Sequence, residues 1–264
     1  MSDADGDING VEAGGSGWAA MRRTGGDGLE DRTAIGLIVL TTDLAIEPEF
    51  YAFLPRDRVS IHANRIPKRR MVSVETAREM EVDLTKTAAQ ILPGGPLKVI
   101  AFGFASCTMT IGEARVVTLL RGTRPGIAVT DAITASLIGL EVLGARRIAM
   151  LTPWADDVNR FAESYIADRG FEIPVKGSFE RTDGYEIHRV SPEAVYDAGL
   201  KLGRADVDGL LISGTGLRVS PVLESLEDAL GKPVITSTQA LAWHGLRLAG
   251  IDDPVAGYGR LLKA

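Results

Sequence analysis

Eight short apolar bursts constrain this chain more than any other feature. They fall at Ala34–Leu40, Val59–Ala63, Lys98–Phe102, Ile127–Thr130, Arg147–Leu151, Phe171–Val175, Gly209–Ser213 and Val234–Thr236. Each is bounded by turn or polar residues, as a buried strand requires. Amphipathic stretches alternate with them, which predicts parallel strands covered by helices, an α/β fold. The helices are legible too. Val74–Leu92 follows Ser73 and is stopped by Pro93-Gly94-Gly95-Pro96. Trp154–Arg169 carries Asp156 and Asp157 in its first turn, where the helix dipole favours them. Ser191-Pro192-Glu193 opens another helix with Pro at its first position, and Pro221–Leu230 ends at Gly231.

The pattern repeats. Residues 127–144 read IAVTDAITASLIGLEVLG and residues 233–250 read PVITSTQALAWHGLRLAG. At one constant offset Thr130 matches Thr236, Gly139 matches Gly245, Leu140 matches Leu246 and Gly144 matches Gly250. Each copy is a strand, a Thr at its carboxyl end, and a helix ending in Gly, which points to duplicated halves. Two pseudo-symmetric Rossmann-like domains with parallel four-stranded sheets follow, with a site in the cleft between them. The expected division is 33–128 plus 237–264 for the first domain and 129–236 for the second.

Residues 1–32 hold eight glycines, seven acidic residues and very few large apolar ones. That composition predicts a disordered tail, because it buries too little surface to offset chain entropy. The single cysteine of the 264 residues excludes an internal disulfide and a multi-thiolate metal centre. A net charge of -6 argues against a broad nucleic-acid surface. No apolar run reaches the roughly 18 residues that span a bilayer, so no membrane partner is expected. Asp3, Asp5 and Asp7 stand where a signal peptide would be basic. A soluble cytoplasmic protein is the expectation. Its exposed amphipathic helices would allow a homo-oligomer, a dimer or a tetramer.

In open parallel sheets ligands bind beyond the carboxyl ends of the strands. The loops there are Thr41-Thr42-Asp43, Phe104–Thr108, Thr130-Asp131, Thr152-Pro153-Trp154, Ser213–Gly216 and Thr236-Ser237-Thr238. They are rich in hydroxyls and glycine and poor in catalytic bases. Ser213-Gly214-Thr215-Gly216 offers backbone N–H groups and two hydroxyls, a geometry that holds a carboxylate or phosphate. The same residues also suit an ordinary tight turn. Cys107 lies near the presumed start of a helix, where a thiolate is stabilised and could exchange protons or act as a nucleophile. Burial in the core is the competing expectation for a lone thiol. His62, His188 and His244 have no ligand-pair spacing and read as structural. The run Lys68-Arg69-Arg70 reads as a solvated loop, with a mobile lid over an anionic substrate as the alternative.

The order of these loops resembles the maleate isomerase and arylmalonate decarboxylase group of the aspartate/glutamate racemase superfamily, closest to the branch associated with ectoine utilization. The residues that carry the resemblance are Gly36–Val39 with Thr41-Thr42-Asp43 and Glu47–Phe50, then Asn64–Pro67, Ile100–Gly103 with Ser106, Leu143–Ile148, Leu151-Thr152-Pro153, Ile212–Arg218 and Gly231–Ser237. They run from about residue 33 to 250, and their order carries more than any one motif.

The resemblance implies cofactor-free chemistry at a carbon next to a carboxylate: an isomerase, racemase or decarboxylase of a small acid. Two pseudo-symmetric cysteines flank the substrate in that family, while hydroxyls and backbone amides hold its carboxylate. Here the first cysteine position is Phe104 and the second is Gly214. Trp154 replaces the usual Tyr, and Ala105 replaces a Thr. Cys107, three residues past the first position, is the one thiol left for acid–base work. Thr42, Asp43, Phe104, Ser106, Trp154, Ser213, Gly214, Thr215 and Gly216 are the expected substrate-binding residues. A carboxylate at Asp43 would disfavour a simple dicarboxylate and favour an amino-bearing acid or an ectoine-derived ligand. With both usual cysteines missing, an inactive small-carboxylate binding protein is the alternative to an enzyme.

Overall fold

The computed structural model describes residues 31–67 and 73–264. The expected tail at 1–30 and the Lys68-Arg69-Arg70 run lie outside the described residues. Thr33–Ala264 forms one compact unit. Among the described residues, no helix is long and apolar enough to cross a membrane.

The unit is built on two parallel four-stranded sheets of the same topology. The first contains β1 (Thr33–Leu40), β2 (Val59–Ile66), β3 (Leu97–Phe102) and β4 (Ala128–Asp131), in the order β2-β1-β3-β4. The second contains β5 (Arg147–Trp154), β6 (Glu172–Arg181), β7 (Gly209–Ile212) and β8 (Val234–Thr236), in the order β6-β5-β7-β8. The identical order is what a duplicated half predicts. The helices of the first half are α1 (Ile46–Ala52), α2 (Val74–Glu79), α3 (Glu81–Ala89), α4 (Ala105–Ile111), α5 (Glu113–Arg121) and α6 (Ala132–Val142). Those of the second are α7 (Asp156–Ala167), α8 (Gly184–Ile187), α9 (Pro192–Gly203), α10 (Leu223–Leu230) and α11 (Ser237–Leu248).

Central and edge strands differ as burial requires. β1 is almost wholly buried, and its side chains alternate between two apolar clusters, Ile35, Leu37 and Val39 in one and Ile38 and Leu40 in the other. The edge strands β2 and β6 alternate in exposure instead. The larger cluster runs from Ile35 and Leu37 in the first sheet to Ile148 and Leu211 in the second, so the halves share a core.

The repeated segments occupy equivalent places: β4 followed by α6, and β8 followed by α11, with α6 and α11 packed together. Gly144 (φ +71°) and Gly250 (φ +77°) stop them in the left-handed region. The aligned threonines diverge in role. Thr236 caps α11 in a capping box with Gln239, whereas α6 is capped by Asp131, which accepts from Ile133 N (3.0 Å) and Thr134 N (3.1 Å). Thr130 instead turns its hydroxyl to His244 Nδ1 at 2.8 Å.

Several expected bounds move. The helix expected at Val74–Leu92 is two helices, α2 and α3, with Met80 between them, and Leu92 lies beyond with φ +42°. Trp154 closes β5 rather than opening a helix, and α10 starts at Leu223 rather than Pro221. β6 continues to Arg181, six residues past its expected end at Val175. The expected boundary at residue 128 falls inside β4, which pairs with β3 from Val99↔Ala128 to Phe102↔Asp131.

Candidate functional site

Loops from both halves meet at one cavity beyond the carboxyl ends of β1, β3, β5, β6 and β7. It is lined by Leu40, Thr42 and Asp43, by Phe104 and Ala105, by Pro153 and Trp154, by Gly184, Ile187 and His188, and by Gly214–Gly216. The cavity lies where the strand-end rule expects a ligand. Seven expected residues come together in its wall: Thr42, Asp43, Phe104, Trp154, Gly214, Thr215 and Gly216.

Three expected residues are not in that wall. Ser213 is buried, and its Oγ lies 3.5 Å from Ser237 Oγ, which in turn accepts from Gly214 N at 3.0 Å. Ser106 is buried in the first turn of α4, with its hydroxyl unmatched among the described residues. Cys107 is fully buried within the apolar cluster that contains Ile38, Ile66, Leu84, Ile100, Phe102 and Val116. The reason is helical geometry. Phe104 caps α4, and Cys107, three residues on, faces the first sheet's core instead of the cleft.

Asp43 is a joint. Its Oδ1 accepts from Ala45 N (2.8 Å) and Ile46 N (2.9 Å) at the start of α1. Its Oδ2 lies 3.1 Å from the Thr215 hydroxyl, which is also 3.1 Å from Gly103 O. The carboxylate thus ties the first half to the second. Arg65 secures the same loop by donating from Nη1 to Leu40 O (2.9 Å) and Asp43 O (2.8 Å).

Glycine is needed at two points of the second-half loop. Gly214 has φ +131°, and a Cβ there would lie 2.7 Å from Pro153 Cδ. A Cβ on Gly216 would lie 2.9 Å from Ile187 Cγ2 and 3.1 Å from His188 Cε1. Among the described residues, the backbone N–H groups of Thr215 and Gly216 donate to no protein acceptor.

His188, which the sequence reads as structural, also lines the cavity. It follows α8, and its ring bridges the halves, with Nδ1 3.0 Å from Gly216 O and Nε2 2.9 Å from Thr42 O. Ending β6 at Val175 left His188 far from any strand end. The signal was available, because the loop after β6 is also a carboxyl-end loop.

The family model described as arylmalonate decarboxylase matches residues 35–262. A maleate isomerase of Nocardia farcinica is 28% identical over 240 residues, covering 87% of this chain and 95% of the relative. An arylmalonate decarboxylase of Bordetella bronchiseptica is 34% identical over 139 residues, 52% of this chain and 58% of the relative. A solved Nocardia farcinica maleate cis-trans isomerase, a cysteine-to-serine mutant with a covalently bound succinylcysteine intermediate, superposes with a TM-score of 0.79 at 26% identity. That superposition covers 88% of this chain and 98% of the other. On the match across nearly all of the described unit, this chain belongs to the arylmalonate decarboxylase family.

Proposed function

We propose that the cavity binds a small malonate-type dicarboxylate and releases one carboxylate as CO2 without a cofactor. The observation that carries this is the mixed make-up of the cavity wall. Thr42 and the N–H groups of Thr215 and Gly216 share it with apolar Leu40, Phe104, Pro153, Trp154 and Ile187. A carboxylate pressed against apolar surface is destabilised, and leaving as neutral CO2 relieves that cost. The electron pair left on carbon spreads into the remaining carboxylate as an enediolate, which the N–H groups stabilise. Protonation from one side completes the reaction.

Decarboxylation suits this wall better than isomerisation through a thiol adduct. Neither Phe104 nor Gly214 supplies a thiol, and Cys107 lies in the core. The same observation favours a second reading, a binding protein that holds a small carboxylate without turnover. The negative charge of Asp43 on the wall bears on ligand choice and keeps an amino-bearing acid within the test.

The test is a panel of phenylmalonate, malonate, maleate and diamino acids, followed by CO2 release and thermal stability. CO2 release from a malonate supports the decarboxylase. Stabilisation without turnover, on the scale of about 2.7 kcal/mol at a hundredfold excess over Kd, supports the binding protein. Tighter binding of diamino acids than of malonates would sink the dicarboxylate assignment.

A further inference from the structure

We propose that His188 is the proton donor of this cavity and that the exchanged proton sits on Nε2. The inference rests on the decarboxylase reading above and adds the group that this reading leaves unnamed.

Two side chains able to exchange a proton stand in the wall among the described residues, Asp43 and His188. The Asp43 carboxylate is an acceptor already engaged by Ala45 N, Ile46 N and the Thr215 hydroxyl. His188 is placed differently. Gly216 O lies 3.0 Å from Nδ1 and Thr42 O 2.9 Å from Nε2, and a carbonyl only accepts, so the protonated ring donates at both nitrogens and the neutral ring at one of them. Nε2 has two neighbours of opposite kind, Thr42 O at 2.9 Å and Leu44 N at 3.3 Å. The protonated ring donates from Nε2 to Thr42 O. The neutral ring accepts at Nε2 from the Leu44 N–H. In the tautomer that keeps its proton on Nδ1, both protonation states have a partner at Nε2 without moving the ring, while Nδ1 stays on Gly216 O. A group built to lose and regain one proton at one atom has this arrangement.

Packing holds the ring at the cavity. Gly216 lacks the Cβ that would press on His188 Cε1 at 3.1 Å. The charged groups around the ring are Asp43, whose chain neighbours Thr42 and Leu44 touch Nε2, and the Arg189–Glu186 pair, 2.7 Å apart, on the turn that carries His188.

The step balances. The bond between the substrate carbon and the departing carboxylate breaks, and its electron pair stays on carbon as CO2 leaves. The Nε2–H bond then breaks, its proton forms the new C–H bond, and the neutral ring recovers a proton from water.

The experiment uses the full chain with phenylmalonate. His188→Gln is expected to lower kcat by about 100- to 10,000-fold, the usual worth of a positioned acid, with little change in KM. His188→Ala should recover part of its rate when imidazole is added, which a purely structural bridge would not allow. A wild type that turns over while His188→Gln retains its kcat overturns the assignment and leaves the decarboxylase reading standing. A wild type that releases no CO2 ends the decarboxylase reading alone. His188 is then judged by ¹⁵N NMR with malonate as the probe. An Nε2 resonance that shifts toward the protonated form on binding upholds it as the proton-bearing group, and an unmoved resonance overturns it.

Discussion

Pro153 occupies the space in which a side chain on residue 214 would begin: a Cβ built on Gly214 lies 2.7 Å from Pro153 Cδ and 2.8 Å from its Cγ. The backbone there also has φ +131°, a region that L residues rarely enter. Glycine is therefore the residue that fits at position 214, where the resemblance implies a cysteine.

Positions 104 and 214, where the resemblance implies thiols, should respond differently to cysteine. Gly214→Cys forces a left-handed backbone and a clash, costing about 2 kcal/mol or more, and should give no accessible thiol in an undistorted fold. Phe104 has φ -142°, open to any L residue. Phe104→Cys sacrifices a buried ring, at about 3 kcal/mol by analogy with large-to-small core changes, yet puts a sulfur in the cavity wall. Native-state alkylation followed by mass spectrometry distinguishes them. Phe104→Cys should label at residue 104, whereas wild-type Cys107 should stay unmodified until the protein unfolds.

Glu49 joins the halves through a second buried carboxylate. Its Oε2 accepts from Val219 N (3.0 Å) and Ser220 N (2.9 Å), and its Oε1 from the Ser220 hydroxyl (2.5 Å). Glu49→Ala leaves two buried-side N–H groups without an acceptor and should cost about 2–3 kcal/mol. Urea denaturation measures this as a lower midpoint with an unchanged slope.

Much of this architecture is written in residue spacing. β1 and β7 are short apolar runs because both faces of a central parallel strand are buried, and such runs stand out in any sequence. The cleft followed from strand ends, and Thr42, Asp43, Phe104 and Gly214–Gly216 were found that way. Cys107 and His188 were harder for opposite reasons. Where Cys107 points depends on the first turn of α4, and three residues of helix rotate its sulfur into the core. His188 depends on how far β6 runs. That edge strand alternates in exposure past Val175, so its end has no apolar mark.

His244 gives the fold a pH dependence of defined sign. Burial holds its pKa below the ordinary 6.5. The unfolded chain therefore binds a proton near pH 6.5 that the folded chain does not, and stability is lost as pH falls through that value. Asp131 and Glu227 have carboxyl pKa values raised chiefly by burial and contribute with the opposite slope. The difference between wild type and His244→Gln isolates the histidine. The Tm advantage of the variant over wild type should grow as pH is lowered from 7.5 to 5.5. A constant offset would contradict this linkage.

The role of the lone thiol is the sharpest issue, and one rate decides it. CO2 release from phenylmalonate is measured for wild type and for Cys107→Ala, at a temperature where circular dichroism shows both folded. With Cys107 buried beside Phe102 and Leu84 and proton transfer assigned to the cavity wall, the two rates should be equal. A folded Cys107→Ala variant that has lost turnover would contradict a thiol-free site.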